Sequence, residues 1–280
     1  MFHFFKPTRL FKQVDLEHFI HMRVAVCLSG QMRSFRECYP DIYQYIIEPN
    51  KADVFLHTWY DEDQLEQCAY DTRRTNTTFK KGDDQELVSL YKPVAYRIEK
   101  PITFRNPNIQ LPTSYIQRTK GSIHRECTEQ EVIEHAVHST YSMFYSIYQC
   151  NQIKEEYAYI HKINYDMVIR LRYDLGVKEP LLCDKYPENY IYYADLSHPD
   201  KLISDWINMG STPIMNIYAS TFLHLEYLNT YQFFKKEERI ENTLYSDKDC
   251  NWGNEYIIRD MMDLFKIPKK TLKEKYSLRY

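Results

Sequence analysis

The segment Tyr165-Asp166-Met167-Val168-Ile169-Arg170-Leu171-Arg172-Tyr173-Asp174 begins as an apolar run and ends in charge. In an extended chain, successive side chains alternate between faces. Val168, Arg170, Arg172 and Asp174 then share one face, and Met167, Ile169, Leu171 and Tyr173 share the other. Charges are seldom buried unless paired or functional. Two guanidiniums and a carboxylate at the end of such a strand point to a polyanion site, with or without a metal. The alternative is a salt-bridged cluster that closes a sheet edge.

Two other strand ends carry suitable groups. Ser29, Gly30, Gln31 and Arg33 follow an apolar run, and His57, Thr58 and Trp59 close another. A turn at Gly30 offers backbone N–H groups, and Arg33 offers a guanidinium fork for phosphate. Trp59 presents a face on which a base or sugar stacks, or else is a core aromatic. His57 is either a hydrogen-bonded core histidine or a ligand contact. Further on, Asp205 precedes an apolar stretch and Gly210, as a helix N-cap or as a contact for an acceptor hydroxyl. Asp247, Asp249, Trp252, Gly253, Asn254 and Glu255 form a polar–aromatic group before the last helix. Tryptophan beside a carboxylate is a sugar platform next to a general base. Glu255 also suits the first turn of a helix, where the dipole favours an acid.

These residues need a scaffold. The spacing predicts strands over Arg23 to Leu28, Ala52 to Trp59, Val94 to Glu99 and Tyr190 to Ala194, besides the segment above. It predicts helices over Tyr39 to Ile47, Asp84 to Leu90, Thr140 to Ile163, Ile214 to Leu228 and Asn254 to Phe265. Strands alternating with helices give an α/β fold with a mostly parallel central sheet. Such sheets bind ligands beyond the carboxyl ends of their strands, where the candidate residues fall. Residues Pro101 to Glu129 lack periodicity and read as a long loop. The expected organisation is an N-terminal appendage over 1–22, one catalytic domain over 23–265 and a basic surface tail over 266–280.

Composition narrows the function. Lys+Arg 36 against Asp+Glu 39 gives a net charge of -3, without the basic excess of a nucleic-acid binder. The seven cysteines, at 27, 38, 68, 127, 150, 183 and 250, form no C-x-x-C. They read as reduced thiols in a cytoplasmic setting. No run reaches the ~18 apolar residues of a membrane span. The segment Met1 to Met22 is either a helix packed on the domain or a weak membrane-surface anchor. Only six glycines occur, and no G-x-G-x-x-G or Walker A motif can be assembled, which removes the Rossmann dehydrogenase and P-loop readings. Asn76-Thr77-Thr78 is a lone sequon.

Taken in order, S-G-Q-x-R, A-D-V-F-x-H-T-W, S-M-F-Y-S-I-Y-x-C-N, Y-D-x-V-I-R-x-R-Y-D-L, G-S-x-x-x-M-x-x-Y and W-G-N-E-Y resemble a group of glycosyltransferases. Members occur in large DNA viruses, algae and bacterial surface-polysaccharide clusters. The resemblance runs from about Arg23 to Met262. It implies a GT-A-like, Rossmann-like sheet, with a UDP- or GDP-sugar at the ends of the first strands and a glycan or other hydroxyl as acceptor. It implies Mn2+ or Mg2+ held against the diphosphate by an Asp-x-Asp element. This chain departs there, with Arg172-Tyr173-Asp174. Either Asp174 still binds metal, or Arg170 and Arg172 neutralise the diphosphate. On this reading Ser29, Gly30, Gln31, Arg33, His57 and Trp59 contact the donor, and Asp205 or Glu255 is the base of an inverting transfer. The rival readings are a nucleotidyltransferase or sugar-nucleotide processing enzyme, and a non-catalytic carbohydrate-binding or virion scaffold protein.

Overall fold

A computed structural model of the chain describes residues 22–68, 79–106, 109, 111, 116–117, 127–195, 202–228 and 253–278. The expected N-terminal appendage, the sequon, Asp247, Asp249 and Trp252 lie outside the described residues.

Seven strands form the central sheet. They are β1 (Val24–Gly30), β2 (Asp53–Trp59), β3 (Ala95–Glu99), β4 (Met167–Leu171), β6 (Ile191–Tyr193), β7 (Ile207–Ser211) and β8 (Lys269–Thr271), in the order β3-β2-β1-β4-β7-β6-β8. The pairs β1–β2, β1–β4, β2–β3 and β6–β8 are parallel, and β7 runs against both neighbours. A two-stranded sheet pairs β5 (Leu175–Val177) with β9 (Tyr276–Leu278). The mostly parallel α/β sheet expected from the element pattern is present.

The alternation read from the sequence sorts the two cores. Val24, Val26, Leu28, Met167, Ile169, Leu171 and Tyr173 pack on one face. That face is covered by helix α1 (Phe35–Ile42), which continues through a widened π-type turn at Tyr43–Ile47 to Glu48–Asn50, and by α2 (Asp83–Tyr91). Ala25, Cys27, Phe55 and Val168 face the other way. They lie under α3 (Glu129–His161), α4 (Thr212–Ala219) and α5 (Asn254–Leu264). Fully burying each large aliphatic side chain contributes about 1.5–3 kcal/mol. Two such layers hold the sheet rigidly enough to carry polar groups at its rim.

Helix α3 begins at Glu129, well before the expected Thr140. Thr128 caps it: its hydroxyl accepts from the Glu131 N–H at 3.2 Å, and Glu131 Oε2 accepts from the Thr128 N–H at 2.7 Å. This reciprocal box satisfies two orphan donors and turns part of the expected loop into helix. The expected helix Ile214 to Leu228 is interrupted at Ser220. The stretch expected to cap a helix at Asp205 instead enters strand β7. The basic tail also differs from expectation: Lys269–Thr271 joins β6 and Tyr276–Leu278 joins β5. The described cysteines Cys27, Cys38, Cys127, Cys150 and Cys183 are free thiols. Among the described residues no helix is long and apolar enough to cross a membrane.

Candidate active site

The parallel strands β1, β2 and β4 end together, at Gly30, Trp59 and Leu171. Strand β1 runs two residues further than expected, so Ser29 and Gly30 are its last residues rather than loop. Gly30 has φ 117°, a conformation open to glycine and costly for other residues. A Cβ built there meets nothing within 4 Å, so the backbone borders open space. Its carbonyl is pinned by the Thr58 hydroxyl at 2.8 Å. Three residues on, Arg33 adopts φ 41°, the left-handed region that a non-glycine residue holds only when its surroundings over-determine it. The surroundings here include Gln31, whose Oε1 accepts from Arg33 Nε at 3.3 Å, and Asp174, whose Oδ2 accepts from Arg33 NH1 at 2.9 Å.

Strand β4 brings in the other two guanidiniums. Arg170 lies beside Cys27 in the β1–β4 register and is 2 % exposed. Its Nε donates to Ser29 Oγ at 2.9 Å, its NH2 to the Ser29 carbonyl at 3.4 Å, and its NH1 to the Asp205 carbonyl. Arg172 follows the strand end, held by its own N–H to the Trp206 carbonyl at 3.1 Å. Its Nε and NH2 donate to the two oxygens of Asp174 at 2.8 and 2.7 Å, and its NH1 lies 3.6 Å from Asp205 Oδ2. Burial alone pushes the Asp174 carboxyl upward, but Arg172 and Arg33 outweigh it and hold the group below its ordinary range.

Asp174 does not suit the metal-ligand role expected of it. Both of its oxygens accept guanidinium hydrogen bonds, and it is 1 % exposed. Divalent cations of the Mg2+ class take several oxygen ligands, and among the described residues no group of three His, Cys, Asp or Glu could hold a metal ion. The donor set fits an anion held by guanidiniums, not Mn2+ or Mg2+.

A cleft of about 140 Å³ opens over this rim. Of the sequence-predicted residues, Ser29, Gly30, Gln31, Arg33, Trp59, Arg170, Arg172 and Asp205 line it. Asp174 is tucked behind its two arginines. Helix α5 supplies Asn254, from the polar–aromatic group, and helix α3 supplies Ser142 and Met143, from the S-M-F-Y motif, together with His138 and Ser139, which sequence reasoning did not single out. The signal was present in Thr128-x-x-Glu131, which places the helix start early enough to carry His138 and Ser139 on it. Thr140 Oγ1 donates to Asn254 Oδ1 at 3.2 Å and ties the two helices together.

Asp205 and Glu255 come close although they are distant in sequence. Burial and then the neighbouring Asp205 charge push the Glu255 carboxyl up to about 7, against weaker opposing pulls from its own N–H and Arg172. The first-turn position at the start of α5 therefore coexists with an elevated proton affinity.

His57 does not line the cleft. It is fully buried, with Nδ1 2.7 Å from Ser146 Oγ and Nε2 2.8 Å from Glu99 Oε2. Burial outweighs the Glu99 contact and pushes its pKa down to about 4, so the ring is neutral near pH 7. Its expected donor contact is thereby replaced by a supporting one: the ring stands edge-on to Trp59 at 5.1 Å. Trp59 also stacks on Tyr145 at 5.3 Å. It is 4 % exposed, so it is a core aromatic that still borders the cleft.

No protein-family model and no curated protein matches the chain. Among solved structures, one match is the apo form of the glycosyltransferase GlyE of Streptococcus pneumoniae TIGR4, at 12 % identity and a TM-score of 0.34. The match covers 90 % of this chain and 45 % of that one, so this chain spans under half of that protein's length.

Proposed function

We propose that the protein is a glycosyltransferase that moves a sugar from a nucleotide-sugar donor to a hydroxyl acceptor such as a glycan. One observation carries this reading. Arg33, Arg170 and Arg172 converge on a cleft at the carboxyl ends of parallel strands, and a carboxylate of raised proton affinity, Glu255, stands close to Asp205 on its border. The donor diphosphate lies over Gly30, Gln31 and Arg33 and against Arg172. When the bond from the anomeric carbon to the diphosphate oxygen breaks, negative charge grows on the leaving nucleoside diphosphate. Fixed guanidiniums stabilise that charge more than they stabilise the intact donor, which lowers the barrier. Trp59 offers an apolar edge to the base or sugar.

On the far side, Glu255 takes the proton of the acceptor hydroxyl as that oxygen attacks the anomeric carbon, which inverts the configuration. A base works best with a pKa near the working pH, and burial together with the Asp205 charge provides it. Arg170 and the Ser29 side chain hold the cleft floor and set the spacing between β1 and β4.

The test is a thermal-shift panel of UDP, GDP and other nucleoside diphosphates, followed by donor turnover with product analysis. Stabilisation by one nucleoside diphosphate and its release from the matching sugar donor supports transfer. Release of inorganic pyrophosphate from a nucleoside triphosphate supplied with a sugar phosphate would identify a nucleotidyltransferase instead. Silence across the panel would leave the carbohydrate-binding or scaffold reading.

A further inference from the structure

We infer that Asp174 is a positioning residue which locks Arg33 and Arg172 into a prebuilt receptor for a diphosphate group, so that this cleft grips its nucleotide without a divalent cation. The inference rests on the glycosyltransferase reading for the identity of the ligand, but the receptor itself is built from side chains alone.

The two arginines come from different parts of the chain, one from the loop after β1 and one from the end of β4. One carboxylate joins them. Asp174 Oδ1 accepts from Arg172 Nε, and Oδ2 accepts from both Arg172 NH2 and Arg33 NH1. The carboxylate is 1 % exposed, whereas the side chains of Arg33 and Arg172 are 23 % and 18 % exposed and border the cleft. At this end of the cleft a ligand therefore meets the guanidiniums of Arg33 and Arg172 rather than the Asp174 carboxylate. With the ionised Asp174 the two guanidiniums keep a net formal charge of +1 for the cleft.

A metal at Asp174 faces repulsion from the cations already there. Its approach to an oxygen, typically about 2.0–2.2 Å for small divalent ions, brings it against cations already 2.7–2.9 Å from the same oxygens. Like charges that close repel strongly where water is scarce. The left-handed backbone of Arg33 adds a second argument. Positive φ is uncommon outside glycine, and Asp174 and Gln31 are among the contacts that fix Arg33 there. An arginine fixed in advance loses less entropy when the anion arrives.

The experiment titrates the full chain with inorganic pyrophosphate and with UDP and GDP by calorimetry, once in EDTA and once in Mn2+. The expected result is binding of a nucleoside diphosphate and of pyrophosphate in EDTA, with affinities changed less than threefold by Mn2+. Asp174→Asn, checked for folding by circular dichroism, should weaken pyrophosphate and nucleoside diphosphate at least tenfold in both buffers. Affinity for the matching nucleoside should stay unchanged, which a general structural defect would not allow. Arg33→Gln provides the same comparison if Asp174→Asn does not fold.

Binding that appears only with Mn2+, or a loss in Asp174→Asn confined to the Mn2+ arm, would overturn the inference and leave the glycosyltransferase reading standing. Metal-free binding of pyrophosphate with no nucleoside diphosphate binding would keep the receptor and remove that reading. No binding of any of these anions in either buffer would overturn both.

Discussion

The Arg170 guanidinium donates to the Ser29 hydroxyl at 2.9 Å across the parallel pair β1–β4, and both residues are buried. This contact forms part of the cleft floor. It fixes where the two strand ends stand, and hence where Gly30 and Arg172 face each other. Arg170→Met removes the donors that satisfy Ser29 and the Asp205 carbonyl. Leaving buried acceptors unpaired costs roughly 1–3 kcal/mol. The expected outcome is a Tm lower by about 5 °C in a thermal melt, together with weakened nucleoside diphosphate binding. A variant that melts like the parent would show that the strand ends are held by other contacts.

Glu255→Gln should lower turnover by about 10²–10⁴ while leaving donor affinity within a fewfold of the parent, the signature of a lost proton acceptor. It should also change the pH dependence of stability. The folded carboxyl is raised to about 7 from an ordinary 4.5. Between those values the native state keeps a proton that the unfolded chain releases. Stability from this group is thus full below about 4.5, falls as pH rises and is lost above about 7. The amide removes that loss, so Glu255→Gln should melt higher than the parent at pH 8 and no higher at pH 4.5. Parent activity should rise as pH passes through about 7, and equal melting at pH 8 would place Glu255 in an ordinary solvated setting.

His57 carries the opposite slope. Its folded pKa is pushed down to about 4 from 6.5 by burial. The unfolded chain takes up a proton in that interval that the native state refuses, so stability is full above about 6.5 and lost as pH falls toward 4. Each shift corresponds to a few kcal/mol, on the order of 3 at 1.36 kcal/mol per unit. In the parent the two slopes oppose each other between about 4.5 and 6.5. His57→Gln should unmask a stability that declines with rising pH, and Glu255→Gln one that increases. Chemical denaturation at pH 4.5, 5.5 and 6.5 reads both. Identical curves for the two variants would contradict the assignment.

Gly30→Ala tests the turn without a steric clash inside the protein, since the added Cβ has nothing within 4 Å. Its cost comes from φ 117°, about 1–3 kcal/mol for a side chain held there. The methyl also projects into the open space over which the diphosphate is placed. Reduced stability with at least tenfold weaker nucleoside diphosphate binding is expected. Unchanged binding would move the ligand away from the end of β1.

Local pattern carried much of this protein. Apolar runs bounded by polar turns marked β1, β2 and β4, because a strand buried on both faces has no reason to alternate with polar residues. The order of strands and helices then implied a parallel sheet and a site at its carboxyl rim, where eight of the eleven candidate residues line the cleft. Strand β7 escaped notice, since its Ile207-Asn208-Met209-Gly210-Ser211 is too short and too mixed to show a period. The basic tail escaped for a similar reason. Lys269–Thr271 pairs through its backbone with β6, and backbone hydrogen bonds leave no mark on side-chain composition.

The chain's residue order by itself determined the layered α/β class, the alternation that sends Arg170 and Met167 to opposite faces, and the location of the polar groups at strand ends. Only the tertiary structure decided the partnerships. Asp174 was placed between two arginines, His57 was buried against Ser146 and Glu99, and Glu255 acquired its raised proton affinity from burial and then from Asp205. Periodicity is a property of neighbours along the chain. Charge pairing and desolvation depend on what folding brings within a few ångströms from 50 or 140 positions away.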